Sequence, residues 1–314
     1  MRVDAVAIAA WIIVAQAAGA AKSPSDAASQ GEVSGGRGPY QVVMYADPSL
    51  AHHTIYRPAR MAAVRGTLPI VAWGEGGCED KGNRYRHFLS DIASRGFLVI
   101  ATGNIGARSI ETDVPGEPVL PGTPPDINAP APSSPAELTE AIGWAIARNA
   151  RKGDPLRGRV DTRHVAVMGH SCGALQALAV ASDPRITTVM MLNSGVWTQG
   201  TGGLPGARVT KADLARVHGS IAYIGGDRSD VAFDNAKDDF DRLRGIPALR
   251  AYRIGVAHKG TYWTEPNGGE FARVSSAWLE WRLKGDLRAA KMFTGAKCGL
   301  CADPKWRIER KLIR

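Results

Sequence analysis

The chain has 314 residues, 44% of them hydrophobic and 22% charged, with 39 Lys+Arg against 30 Asp+Glu. Those proportions exclude a globally disordered, collagen-like or coiled-coil chain, and the length suits one large domain or two small ones. The formal net charge of +9 has local excesses at 148–163 and 305–314, neither with a nucleic-acid-binding motif, so no nucleic-acid partner is expected.

Residues 1–4 are a short polar start, Ala5–Ala15 is an apolar run, and Ala18-Gly19-Ala20 is an A-x-A-like cleavage site. The run is too short to span a bilayer, which takes roughly 20 apolar residues. This pattern predicts a signal peptide over 1–20, a Ser/Gly/Ala-rich flexible leader over 21–38 and a folded domain over 39–314. A secreted or periplasmic monomer is expected, with no integral membrane segment once the signal is removed.

Beyond the leader, strands and helices alternate. Val42–Tyr45 and Thr54–Arg57 read as early strands. Leu68–Trp73 is a continuous apolar run feeding Gly74-Glu75-Gly76-Gly77, as a buried strand entering a glycine-rich turn would be. Tyr85–Arg95 has helical spacing closed by Gly96, and Phe97–Ala101 is another buried strand. Ser134-Pro135-Ala136-Glu137 is a capping box with Pro at the first helical position, starting a helix that runs to Asn149. His164–Met168 (strand), Gly173–Ala181 (helix), Thr187–Leu192, Ser220–Ile224 and Leu249–Ile254 (strands) and Phe271–Leu283 (helix) complete the pattern. The acidic run Asp234 to Asp241 suits a helix start after the Ser220–Ile224 strand. The alternation predicts an α/β fold with a mostly parallel sheet and helices on both faces. Two segments interrupt it, the proline-rich loop Asn104–Pro135 and the glycine-rich loop Trp197–Gly206.

Gly169-His170-Ser171-Cys172-Gly173 fits G-x-S-x-G, after an apolar strand and before a helix. That context makes Ser171 a candidate nucleophile on a sharp strand-to-helix turn, where side chains at the two glycines would collide. Serine needs a base, and in this arrangement the partners follow in the order Ser, acid, His. Of seven histidines only His258 lies beyond the candidate acids, just after a strand. His170 reads as structural. No Glu occurs between Ser171 and His258, so the acid is an Asp, and Asp227 and Asp230 both leave the end of the Ser220–Ile224 strand.

These motifs resemble the α/β-hydrolase superfamily, in its secreted serine-esterase branch of dienelactone-hydrolase-like and polyester-hydrolase-like proteins, over about residues 40–285. Trp73–Cys78 and Cys298–Cys301 are also similar to a group of secreted hydrolases with Trp-Gly-x-Gly-Gly-Cys and a Cys-Gly-Leu-Cys tail. The elbow differs from the common polyester-hydrolase pattern, with Cys172 where Met is frequent and no Trp or Tyr before Ser171.

The resemblance implies an α/β-hydrolase fold and a small-molecule or polymer-borne ester substrate, with no cofactor or metal. It favours Asp230, followed by Val-Ala, over Asp227 as the acid. It implies oxyanion donors at the backbone N–H of Cys172 and of Glu75, with Gly76 the next choice for the second. The two donor loops are neighbours in that fold, which pairs Cys78 with Cys172. Cys298-x-x-Cys301, with only two ligands and no matching His pair, reads as a local disulfide rather than a metal site. Trp197, Tyr262 and Trp263 are candidates for a substrate wall. Acyl transfer to a non-water acceptor and a non-catalytic binding role are the rival functions.

Overall fold

The computed structural model describes residues 32–106, 130–197, 206–263 and 265–313. The signal-peptide expectation and most of the two interrupting loops lie outside them.

The described chain forms one α/β domain around a ten-stranded sheet with the order β1-β2-β3-β5-β4-β6-β7-β8-β9-β10. The strands are β1 (Glu32–Ser34), β2 (Val42–Asp47), β3 (Leu50–Pro58), β4 (Leu68–Gly74), β5 (Leu98–Thr102), β6 (Val160–His170), β7 (Thr188–Leu192), β8 (Ser220–Gly226), β9 (Ala248–Arg253) and β10 (Trp306–Lys311). From β5 across β4, β6, β7 and β8 to β9 every neighbour is parallel. β1, β2 and β3 extend one side in antiparallel fashion, and β10 pairs antiparallel with β9 on the other.

Parallel strands need covered faces, and these have them. The helices are α1 (Arg86–Ala93), α2 (Pro135–Ala150), α3 (Cys172–Ala179), α4 (Phe233–Arg242), α5 (Gly269–Lys284), α6 (Leu287–Ala290) and α7 (Gly299–Ala302). One core layer joins Ile70 and Ala72 of β4 to Leu138 and Ile142 of α2, Leu175 of α3 and Phe240 of α4. The opposite layer joins Val71 and Trp73 of β4 to Phe88 and Ile92 of α1 and to Phe271 and Trp278 of α5. The alternation along β4 is the two-residue period of a strand buried on both faces. α2 starts as its sequence predicts, with a capping box in which the Ser134 N–H donates to Glu137 Oε1 at 3.1 Å.

Two terminal expectations change. Residues 32–38, read as leader, belong to the domain. Arg37 donates from its backbone N–H and its guanidinium to Asp91, which is 0% exposed, and from Nη2 to the Gly269 carbonyl. The tail with its basic excess, for which no strand is expected, is an edge strand. Trp306 is buried, Arg250 pairs with Glu309, and Lys311 Nζ donates to the carbonyls of Phe240, Asp241 and Leu243 at the end of α4, where a cation complements the helix dipole.

Among the described residues no helix is long and apolar enough to cross a membrane. Both expected cysteine pairs are disulfides, Cys78–Cys172 and Cys298–Cys301.

Candidate active site

Three loops at the carboxyl ends of β6, β8 and β9 converge, the edge at which open α/β sheets bind ligands. Ser171 follows β6 with φ 52° and ψ −117°, a strained backbone for any residue with a Cβ. The strain turns the chain from strand to helix within one residue. It is compatible only with glycines around it. A Cβ at Gly169 would lie 2.4 Å from the Gly173 carbonyl carbon, and one at Gly173 would lie 2.1 Å from the Gly74 carbonyl carbon and oxygen.

Ser171 Oγ is 3.0 Å from His258 Nε2, and His258 Nδ1 is 2.8 Å from Asp230 Oδ1. Asp230 is buried at 4% exposure. Burial raises its pKa, but the hydrogen bond from His258, the Ala232 N–H and the Asn193 amide more than offset that and hold it down at about 2. An ionised carboxylate only accepts hydrogen bonds, so His258 carries its proton on Nδ1 and turns the Nε2 lone pair to the serine hydroxyl.

Asp227 lies elsewhere. Its carboxylate accepts from the N–H and hydroxyl of Ser229 and from the Gly255 N–H at 2.7 Å, so it shapes the loop rather than touching His258. Those donors, led by the Ser229 N–H, lower its pKa.

The two expected oxyanion residues border the elbow. Cys172 is the first residue of α3, so its N–H is one of the four that a helix leaves without an intrahelical acceptor. The Glu75 nitrogen sits against the elbow; a Cβ on Gly173 would approach it to 2.6 Å. The Cys78–Cys172 bond ties the loop that carries Glu75 to the first residue of α3.

The Glu75 side chain turns away into the core at 0% exposure. Its Oε1 accepts from Trp73 Nε1 at 2.9 Å, and Oε2 has no hydrogen-bond partner. Burial raises its pKa well above the ordinary glutamate value.

His170 is also buried and neutral. Burial, with a smaller effect from the neighbouring His258, lowers its pKa to about 3. Its Nε2–H donates to the His258 carbonyl at 2.9 Å, and its Nδ1 accepts from the Tyr85 hydroxyl at 2.8 Å. It thus braces the base-bearing loop from below.

Tyr262 and Trp263 do not form a substrate wall. They are 1% and 5% exposed and pack with Tyr85, Phe88, His170 and Phe271. Trp197, five residues after β7, is 53% exposed.

No sequence motif marks Asn193, Ser194 or Tyr85 as part of the site. Asn193 Nδ2 donates to Asp230 Oδ2 at 2.8 Å, and the Ser194 hydroxyl donates to the Ser171 carbonyl at 2.8 Å. A cavity of about 10 Å³, room for one water, lies behind Asp230 between Asn193, Ser194, Tyr223 and Arg250. A wide groove of about 670 Å³ along Arg253, Glu265, Glu270 and Lys305 contains none of Ser171, Asp230 or His258. Among the described residues no group of three or more His, Cys, Asp or Glu side chains is disposed to hold a metal ion.

No protein-family model matches the chain, and no curated protein matches it.

Proposed function

We propose that the protein is an exported serine hydrolase of the α/β-hydrolase type that cleaves carboxylic esters through an acyl-enzyme. One observation carries the reading: an unbroken relay of 3.0 and 2.8 Å from Ser171 through His258 to a buried, ionised Asp230, on a strained strand–turn–helix elbow.

His258 Nε2 removes the Ser171 hydroxyl proton as Oγ attacks the ester carbonyl carbon. The charge that develops on the carbonyl oxygen falls to the backbone N–H groups of Cys172 and Glu75. His258, stabilised as imidazolium by Asp230, returns the proton to the departing alcohol, leaving Ser171 acylated. Water then attacks the acyl carbon with His258 again as base, the acyl–Oγ bond breaks as His258 passes that proton to Ser171 Oγ, and the carboxylic acid leaves. The fixed tautomer of His258 makes each proton transfer possible without ring rotation. Two disulfides in one domain support the exported part of the reading.

The test is hydrolysis of short-acyl p-nitrophenyl esters by the mature protein beside Ser171→Ala, with and without an acceptor alcohol. Wild type releases nitrophenol and free acid, and the variant falls by at least about 10³-fold. Equal release by both refutes the proposal, and an acyl product on the acceptor alcohol in preference to free acid makes the enzyme a transferase.

A further inference from the structure

We infer that Asn193 is a positioning residue that clamps the acid loop and the base loop of the triad to each other. This rests on the reading of Ser171, His258 and Asp230 as a catalytic relay.

Asn193 occupies the first position after β7, between the elbow strand β6 and the acid strand β8. Its backbone is left-handed, with φ 45°. Asn tolerates that region better than most residues, but it is still an unusual state that neighbours must hold in place. They do so from both sides. The Asn193 N–H donates to the Ile224 carbonyl in β8 at 2.8 Å, and the Ser171 N–H donates to the Leu192 carbonyl at 2.9 Å.

The side chain then uses both amide hydrogens. One goes to Asp230 Oδ2 at 2.8 Å and the other to the Ala257 carbonyl, next to the base, at 3.3 Å. A carboxamide could present its oxygen here instead. The Tyr262 hydroxyl prevents that by donating to Asn193 Oδ1 at 2.8 Å. Burial keeps that phenol protonated far above its ordinary range, so it acts only as the donor the amide needs. The next residue completes the tie, since the Ser194 hydroxyl holds the Ser171 carbonyl. One dipeptide therefore bonds to all three loops that bear the relay.

Asn193 is 1% exposed, so it works through Asp230 and His258 and does not meet the substrate. A loosened relay slows the proton transfers and leaves ester binding intact. A displacement of about an ångström in such a site costs on the order of 100-fold in rate.

Asn193→Asp keeps the side-chain shape, removes the donor to the Ala257 carbonyl and sets a second carboxyl group against Asp230, which raises the pKa of the pair. Asn193→Gly keeps the left-handed backbone and removes the side chain. Tyr262→Phe leaves Asn193 in place and frees its amide to turn over. The expected result is a fall in kcat of about 100-fold for Asn193→Asp and Asn193→Gly and several-fold for Tyr262→Phe, with KM within about threefold throughout. The far-downfield proton resonance of His258 Nδ1 reads the Asp230–His258 pair without any turnover. It should be present in wild type and lost or broadened in both Asn193 variants. If Asn193→Gly retains wild-type kcat and that resonance, the clamp is refuted, because the side chain is then dispensable. If wild type hydrolyses no ester, the functional reading fails, and the resonance still decides: its loss in Asn193→Gly supports the clamp and its persistence overturns it. Should both Asn193 variants misfold, Tyr262→Phe alone decides, and unchanged kcat with an unchanged resonance overturns the proposal.

Discussion

Removing the Cys78–Cys172 disulfide should damage stability and turnover together, by separate routes. The bond closes a sequence separation of 94 residues, whereas Cys298–Cys301 closes 3. In the chain-entropy account the long closure restricts the unfolded chain by about 4.7 kcal/mol and the short one by roughly 1.5 kcal/mol. Cys78→Ala/Cys172→Ala should therefore lower Tm by about 10 °C, and Cys298→Ala/Cys301→Ala by only about a third of that. Alanine suits both sites of the first pair, since Cys78 is 0% and Cys172 4% exposed and serine would bury a hydroxyl. The second route is catalytic. The same bond joins the Glu75 loop to the helix that begins at Cys172, so its loss lets the two N–H donors drift apart. Losing one such donor costs about 10²–10³ in kcat, and loosening it about 10–100-fold. Melting curves and ester kinetics, run well below the variant's Tm, check both numbers. Wild-type kcat in the folded variant would refute the pinning of the donors. Equal Tm losses for the two pairs would refute the loop-length argument.

Four further outcomes follow from the site. Asp230→Asn should lower kcat by about 10³–10⁴, because an amide accepts less well and favours the wrong His258 tautomer, while Asp227→Asn stays within about threefold; the reverse order in a kcat comparison would exchange their roles. Asp230, whose pKa is held down from 3.8 to about 2, also contributes about 2 kcal/mol of stability that is present above the ordinary carboxylate range and lost as pH falls through it towards about 2, measurable by denaturant titration. His170 acts over a higher window. The unfolded chain takes up its proton near pH 6.5 and the folded one only near 3, so stability falls by about 5 kcal/mol on acidification between those values. His170→Gln, which can still donate to the His258 carbonyl, should flatten that loss, and an unchanged stability–pH curve would contradict the assignment. Glu75 has the opposite sign. Its raised pKa gives stability that is fully present below the ordinary glutamate range and lost as pH rises through the folded value. Glu75→Gln should raise Tm at pH 8 more than at pH 5, and a uniform shift would count against a raised pKa at this buried acid.

Much of the scaffold was legible because its signals are local. β4 and β5 are unbroken apolar runs, α2 announces its own capping box, and the G-x-S-x-G elbow lies within five residues. Chain order alone points to His258, since no other histidine follows the candidate acids. What escaped depends on contacts distant in sequence. Asn193 and Tyr262 meet across 69 residues, and nothing near either one shows that they will. Arg37 meets Asp91 across 54, which is why residues 32–38 resembled more leader. Tyr262 and Trp263 were misjudged because aromatics after the base loop suit a binding wall and a buried brace equally well, and only packing against α1 and His170 separates the two. β10 was hidden by its charges: Arg307, Glu309, Arg310 and Lys311 dominate a strand that only Trp306 and Ile308 tie to the core.

Those charges give β10 a further consequence, in self-association. A sheet that ended at β9 would present Leu249 and Ala251, both 0% exposed, on a naked edge with unpaired backbone groups. Such an edge invites a strand from another molecule. β10 covers it and offers in its place an edge rich in arginine, lysine and glutamate, whose side chains oppose a flat, apolar strand-to-strand docking. A chain truncated before Trp306 should therefore precipitate from concentrated solution even where Ser171, His258 and Asp230 keep their geometry.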